Sequence, residues 1–518
     1  MPYAIDLFCG AGGFSEGILQ AGFDIVFSSD KSPMAQQTYT NRHTQLGILD
    51  GIDTHFELAD IKELTAELIF DSINRLKYGS IFEVGSIDAI FGGPPCQGFS
   101  RLGKRNSSDP RNMLFHEYLR IIRDVRPKYV VMENVTGILD MSMLDFPSVI
   151  DDGTYEGQHL VPSILKAELN SLGYNVLDIE ILNAANYGVP QQRNRAIFLA
   201  YRNDVSPIKY PKIQNDYVTV HDAFGDLYSN HAYSTNYSSD SVKGRTNSRK
   251  TNLPIKSLAP SNMEVSKHDE LITERFSLFR YGENRIKVLD RIRTSGINLL
   301  ELSPRLFYDT LFQLNNLTNV QTIKDELEKL EVLPTKELTS NWLTLTNKQL
   351  SLLRQYDSSY SLFTTKQFNQ ELSTLSKKLG ISIEQTLIFW NNIKDSLNTV
   401  YSEQLLHQEL LNGNITDEIA NSLLTKKNIR SRLNPESISP TMVTLPDDYI
   451  HPDFNRILTV REMARLQSFD DSFEFLGKRT TGGSKRALET PQFTQVGNAV
   501  PPLLAKAVAD EVMKALMM

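Results

Sequence analysis

Over the first two hundred residues, short apolar runs alternate with stretches of helical spacing. Residues 3–8 form an apolar run of strand length, closed by Gly10-Ala11-Gly12-Gly13. Residues 14–21 then carry apolar side chains at helical intervals, and Ile25-Val26-Phe27 begins the next strand. Further apolar runs cover residues 87–91, 129–132 and 196–200, with helical patterns at 114–125 and 164–172 between them. Such alternation predicts an α/β fold, a mostly parallel sheet covered by helices on both faces. Ligands of such sheets bind at the carboxyl ends of the strands, where the glycine- and proline-rich turns fall here.

From about residue 216 the pattern changes. Residues 230–251 are rich in Ser, Asn, Thr and Tyr and hold Lys243, Arg245, Arg249 and Lys250. Residues 265–425 read as successive amphipathic helices, for example at 323–330 and 368–379. Compact motifs resume at Leu458, and residues 503–517 form a last helix. The predicted plan is a first domain over 1–215, a second, mainly helical domain over 216–490 with an insertion at about 300–425, and a return over 491–518 to complete the first.

A chain of 518 residues fits this two-domain plan. No run of about 18 apolar residues suggests a membrane span, and the amino terminus lacks the features of a signal peptide. The two cysteines, Cys9 and Cys96, are not in metal-ligand spacing, so no metal and a reducing cytoplasm are expected. The net charge of -8 argues against a uniformly basic surface, although a basic cleft on an acidic protein is allowed.

Candidate chemistry lies on the turns. Asp6 to Phe14 runs from a strand through glycines into a helix start, a site suited to close approach by a ligand and to negative charge. A dinucleotide-binding turn is the rival reading, weakened because Ser15 stands where its third glycine belongs. Cys9 in this loop reads as a small buried residue. Asp30 ends the second strand, where a carboxylate can accept ribose hydroxyls, and Asp60 with Ile61 follows the third. Either acid could instead cap a turn. Gly92-Gly93-Pro94-Pro95-Cys96-Gln97-Gly98-Phe99-Ser100 sets a thiol on a stiff turn at the end of a strand, a poor setting for an inert buried cysteine. Glu133 ends the strand at 129–132 and emerges on the same edge as Cys96, a candidate acid beside a candidate nucleophile.

Taken together with Glu133-Asn134-Val135, Gln191-Gln192-Arg193-Asn194-Arg195, Arg461-Glu462-Met463-Ala464-Arg465 and Gln495-Val496-Gly497-Asn498-Ala499-Val500-Pro501-Pro502, these motifs resemble the DNA (cytosine-5) methyltransferase family, in its order. The likeness covers residues 3 to about 215 and 437–515 and leaves out the central helices. Two departures stand out: Lys31 replaces an aromatic residue common after the ribose acid, and the segment 478–491 is longer than usual.

The resemblance implies an S-adenosylmethionine-dependent, Rossmann-like catalytic domain and a helical target-recognition domain. It assigns Cys96 as the nucleophile that adds to carbon 6 of a flipped cytosine, and Glu133 as the acid at ring nitrogen 3. Arg195 is assigned to the exocyclic oxygen and Arg193 to the thiolate and a nearby phosphate. Phe8, Gly10, Gly12, Asp30, Asp60, Ile61, Pro95, Asn498 and Val500 are the implied contacts of S-adenosyl-L-methionine. Residues 100–112 resemble a lid over the target, with Ser100, Arg101, Lys104 and Arg105 on DNA.

Arg249, Arg430 and the basic clusters at 243–250, 275–293 and 426–432 are candidates for phosphate or guanine edges. Reversal of Arg249 or Arg430 is therefore expected to weaken DNA binding. The acidic central helices read as scaffold, or as a dock for a cognate restriction endonuclease or another protein. The implied partner is double-stranded DNA, bound by a monomer. The implied setting is a prokaryotic or phage-encoded cytoplasmic enzyme, solitary or paired with a restriction enzyme. Three rivals are weighed: a transfer-RNA methylase, disfavoured by the absence of a Cys-Phe-Thr tripeptide; a silent DNA-binding relative, disfavoured by Cys96, Glu133 and Arg195; and the nicotinamide oxidoreductase.

Overall fold

The apolar runs pair as their alternation predicts. In the computed structural model, which describes residues 1–95, 113–151, 153–214, 217–228, 235–311, 315–331, 365–424, 427–481 and 489–518, the chain divides into two compact units. The first comprises Met1–Ser266, Leu433–Asp447 and Ile457–Met518.

Its sheet is built from β1 (Tyr3–Leu7), β2 (Asp24–Asp30), β3 (His55–Leu58), β4 (Ala89–Gly92), β5 (Tyr129–Val135), β8 (Tyr174–Val176), β9 (Glu180–Asn183) and β10 (Asn194–Arg202). Strands β6 (Ser142–Pro147) and β7 (Thr154–Leu160) form a separate antiparallel pair. The sheet order is β3-β2-β1-β4-β5-β10-β8, with β9 also on β10. The first five strands are parallel, and β10 runs antiparallel to β5. Crossovers α1 (Gly13–Gln20), α2 (Pro33–Gln45), α3 (Ala66–Ile73) and α4 (Leu114–Val125) make the parallel pairing possible.

Successive strand residues point to opposite faces, so β1 serves two cores. Ile5 and Leu7 pack with Ile69, Ile73, Leu119 and Ile122 of α3 and α4. Ala4 faces Phe14 and Ile18 of α1, together with Leu504, Val508 and Val512 of the C-terminal helix Pro502–Leu516. That helix is the reason the last residues of the chain return to the first domain. Each such fully buried aliphatic side chain contributes roughly 1.5–3 kcal/mol.

The domain boundary differs from the expectation. The described residues of 217–266, 433–447 and 457–490 were assigned to the second domain but group with the first. Backbone hydrogen bonds anchor the earliest of these segments. The Arg249 amide donates to the Leu46 carbonyl, and the Asp471 amide to that of Ser241. A polar, serine-rich composition suggested a separate surface segment; its hydrogen bonds with α2 and the tail decide otherwise.

The second unit, Lys267–Arg432 with Asp448–Arg456, is helical, including Glu270–Ser277, Arg285–Ser295, Asn316–Lys329, Thr365–Leu379, Ile383–Ile393, Glu403–Leu411 and Asp417–Leu424. The pattern expected at 368–379 lies within Thr365–Leu379, and that expected at 323–330 overlaps Asn316–Lys329, which stops one residue short of it. Leu372, Leu375, Phe389, Trp390 and Leu406 are among the apolar residues buried in this unit. Ser382 and Gln385 form a reciprocal cap that starts Ile383–Ile393. No helix among the described residues is long and apolar enough to cross a membrane.

Candidate active site

The carboxyl edge of the parallel strands carries the motif residues. Past β1 the backbone turns at Phe8, whose φ of 57° is an uncommon conformation for a residue with a side chain. A Cβ built on Gly10 meets nothing within 4 Å, so this side of the loop is open to a ligand. A Cβ on Gly13 would stand 2.4 Å from the Val500 carbonyl oxygen, and for that reason glycine is required where the first turn of α1 meets the Gly-Asn-Ala-Val motif. Asp30, at the end of β2, accepts the Gly10 amide at 3.0 Å and the Ser32 amide at 2.8 Å. Burial raises its pKa, opposed by those two N–H donors.

Each oxygen of Asp30 retains a lone pair for hydroxyl donors. Together, the acceptor on β2, the open loop at Gly10 and the helix start fit a ligand with a ribose and a charged tail. Asp60 receives the Lys62 amide at 3.2 Å on one oxygen and so caps a short turn, leaving its other oxygen for a ligand. Ile61 is a core residue, 5% exposed, and can offer a ligand only its backbone. Gly12 lies against Tyr39, the Val500 side chain is buried, Pro95 is half-buried, and Asn498 and Lys31 are exposed.

Beside this loop, Gly93-Pro94-Pro95 leaves β4, and Asn134 Nδ2 donates to the Pro94 carbonyl at 3.1 Å. The strand ends of β4 and β5 are thereby tied together. Glu133 pairs with Ile197 across the β5–β10 ladder, and Arg195 lies two residues before Ile197, on the same face as Glu133. Their side chains meet, with Arg195 Nε 2.6 Å from Glu133 Oε1. Arg195 Nη1 donates to the Asn194 carbonyl. No described residue takes Nη2 of Arg195 or Oε2 of Glu133, and Oε2 lies on the side of Gly93. Both residues are 9% exposed, so the pair is mostly desolvated yet reachable from the strand ends. Cys96, Ser100, Arg101, Lys104 and Arg105 lie outside the described residues.

Two expectations are corrected. Arg193 was expected at the thiolate and a phosphate, but it is 2% exposed and donates to the Met442 carbonyl at 3.1 Å and to the Gly497 carbonyl at 3.0 Å. It holds the Gly-Asn-Ala-Val motif in place. Arg249 was expected on DNA, but it pairs with Asp24 and Asp53. Asp24 begins β2, so Arg249 sits at the amino-terminal edge of the sheet, away from the site.

Arg430 stacks over Phe276 at 5.2 Å and is half-buried. In its cluster, Arg432 donates to the carbonyls of Phe276, Phe279, His451 and Pro452 and so closes the helical unit. Arg275 donates to the Ser422 carbonyl, and Arg291 pairs with Glu283. An open cleft of about 570 Å³ near Ser86, Arg126 and Arg202 also lies at the amino-terminal edge, where Arg202 is engaged by Asp204 and two carbonyls.

Sequence reasoning assigned no structural role to several polar residues that build the site from beneath. Asp6 is fully buried and takes a hydrogen bond from Ser15; Ser15 also reaches the Tyr39 hydroxyl at 3.2 Å. A lone acid inside an apolar strand was the available signal. Glu16 binds Arg42 through both oxygens, and Arg42 also meets Asp470. The Arg461 and Arg465 pair is wholly internal: Arg465 engages Asp226 and Asp471, and Arg461 engages the carbonyls of Ser261, Asp470 and Phe473. Burial pushes the Glu462 carboxyl between them up to about 8.

With this geometry in hand, comparison with known proteins is decisive. The family model for C-5 cytosine-specific DNA methylase matches residues 3–514. The type II methyltransferase M.DdeI of Desulfomicrobium norvegicum is 26% identical over 98% of this chain and 88% of its own length. The type II methyltransferase M.AgeI of Thalassovita gelatinovora is 27% identical over 99% of both. A solved structure described as a DNA modification methyltransferase encoded within an E. coli prophage shares the fold, with a TM-score of 0.54 at 19% identity over the full length of both chains. The chain belongs to the C-5 cytosine-specific DNA methylase family and is a DNA (cytosine-5)-methyltransferase.

Proposed function

We propose that this enzyme methylates cytosine within a specific duplex sequence by covalent catalysis from Cys96, with S-adenosyl-L-methionine as donor. The observation that carries the reading is the Glu133–Arg195 pair, held at the carboxyl edge beside the Gly93–Pro95 turn that leads into Cys96. Cytosine carbon 5 is not nucleophilic. Addition of the Cys96 thiolate to carbon 6 converts the ring to an enamine that can take a methyl group at carbon 5, the sulfonium donor leaving as a neutral thioether. Loss of the carbon 5 proton and cleavage of the carbon 6–sulfur bond then restore the aromatic ring and free the thiolate.

Glu133 Oε2 hydrogen-bonds ring nitrogen 3 and stabilises the charge that develops there, while Arg195 Nη2 binds the exocyclic oxygen. The Nε–Oε1 contact fixes both groups in one plane of approach, so neither has to be ordered during the reaction. Asn134 is a positioning residue for the thiol turn, through the Pro94 carbonyl. When bound, S-adenosylmethionine supplies an electrophilic methyl group; Asp30 receives its ribose hydroxyls, and Asp60 its adenine amino group. Phe8, Gly10, Gly12, the Ile61 backbone, Pro95, Asn498 and Val500 line the same edge. The target base leaves the stack to reach this site.

The named relatives are type II methyltransferases, which supports modification within a restriction-modification system. Recognition falls to the helical unit and to Ser100, Arg101, Lys104, Arg105 and Arg430. The remaining central helices are scaffold or a partner surface. Duplex carrying 5-fluorocytosine at the target, located by bisulfite sequencing of DNA from expressing cells, tests the mechanism. A covalent adduct should form with the wild type and be lost in Cys96→Ser. An adduct that persists in the variant would name a different nucleophile.

A further inference from the structure

Asp6 occupies an unusual position in this fold. It sits on β1 one residue before the strand's end, on the sheet face covered by α1, with no measurable exposure. One carboxyl oxygen is held by the Ser15 hydroxyl, from the first turn of α1. The other, Oδ1, is buried and has no hydrogen-bond partner among the described residues. A carboxylate left so is costly, because burial removes its hydration and nothing returns it.

Among the described residues, the surrounding groups do not supply a charge of opposite sign. From β2 comes Asp30, from the loop Cys9, from α2 Tyr39 and from α4 Tyr118, all acids. From α1 comes Glu16, already paired with Arg42 of α2. Desolvation, helped by Asp30 and opposed by the Ser15 bond, pushes the Asp6 carboxyl up to about 7. In the free protein, Asp6 is therefore divided between its protonated and ionised forms near neutrality.

We infer that Asp6 is a proton-linked positioning residue, which holds the first turn of α1 through Ser15 and gives up its proton when a cationic cofactor binds against the Phe8–Gly13 loop and Asp30. The inference rests on the S-adenosylmethionine reading proposed above. The sulfonium and ammonium groups of that cofactor outnumber its single carboxylate, so binding brings net positive charge to a cluster of acids. Positive charge favours ionised Asp6 and lowers its pKa in the complex. The carboxyl O–H bond breaks and the proton passes to solvent; no other covalent bond changes. By linkage, protons are released wherever pH lies between the bound and free pKa values, and affinity rises with pH across that window. Below both values Asp6 is protonated in either state, and above both it is ionised in either, so the dependence vanishes at each end.

Isothermal titration of S-adenosylmethionine into the full chain, repeated in buffers of different ionisation enthalpy, counts released protons without any turnover. We expect net proton release near neutrality, falling toward zero as the pH rises above the free value. Asp6→Asn should bind with no such release. Ser15→Ala removes the bond that holds the Asp6 pKa down, so its release should shift to higher pH; it serves if the asparagine variant fails to fold. Binding by the wild type without proton release, equal release by Asp6→Asn, or an unmoved profile in Ser15→Ala would overturn the inference while leaving the cofactor reading intact. Absence of wild-type binding at any pH would overturn both.

Discussion

Arg193→Met separates a residue that builds the site from one that takes part in the reaction. The substitution keeps most of the buried stem and removes the donors to the Met442 and Gly497 carbonyls, at 3.1 Å and 3.0 Å. A buried polar group stripped of its partner costs about 1–3 kcal/mol, so two carbonyls give roughly 2–6 kcal/mol. Part is offset because a guanidinium no longer has to be desolvated, which leaves an expected destabilisation of about 2–4 kcal/mol. Gly497 precedes Asn498, so the loss should also loosen the far wall of the cofactor site and weaken S-adenosylmethionine binding. Thermal and urea denaturation of the full chain give the first quantity and calorimetry the second. Single-turnover methyl transfer at saturating cofactor and DNA should stay near the wild-type rate in the folded fraction. Unchanged stability together with a collapse of the single-turnover rate would show that Arg193 acts on the reacting groups after all.

Three further changes probe other parts of the fold. Glu133→Gln should lower the single-turnover rate by about two to four orders of magnitude, the range for losing a general acid, with S-adenosylmethionine affinity kept; a near-normal rate would remove Glu133 from the mechanism. Gly17→Ala should destabilise by ~3 kcal/mol or more, seen as a lower thermal midpoint. Its Cβ would stand 2.4 Å from the Lys506 amide nitrogen and 2.6 Å from the Ala505 carbonyl carbon, backbone atoms that cannot swing away, and an unaltered midpoint would refute that close approach of α1 to the C-terminal helix. Arg249→Glu should lower stability by about 1–2 kcal/mol, a value discounted for partial exposure of the pair with Asp24 and Asp53, and leave the salt dependence of DNA binding as it was. A flatter salt slope would return Arg249 to the DNA.

What the sequence determined by itself is the order of the strands and helices, the edge of the sheet that carries chemistry, and the reaction. Period-two and period-3.6 patterns are local, and so are the turns at Gly10 to Gly13 and Gly93 to Pro95, where glycine and proline leave the backbone few options. Those turns stand at strand ends, so their residues converge on one edge once a parallel sheet forms. The partners of charged side chains were not local. Arg193, Arg249 and Arg432 read in the sequence as cations available for phosphate, and Arg461 and Arg465 as motif residues with no role assigned. Only tertiary packing shows that carbonyls and carboxylates from segments up to hundreds of residues away already occupy them. The domain boundary was hidden for the same reason, since residues 217–266 have the composition of a surface segment and their anchors lie in α2 and the tail. Asp6 shows the principle at its sharpest. An acid in an apolar strand is visible in the sequence, but its poise depends on three-dimensional neighbours: full burial, one hydroxyl from α1, and Asp30 in place of a cation. A desolvated charge is governed by what surrounds it in space, and residue order does not encode that until the chain has folded.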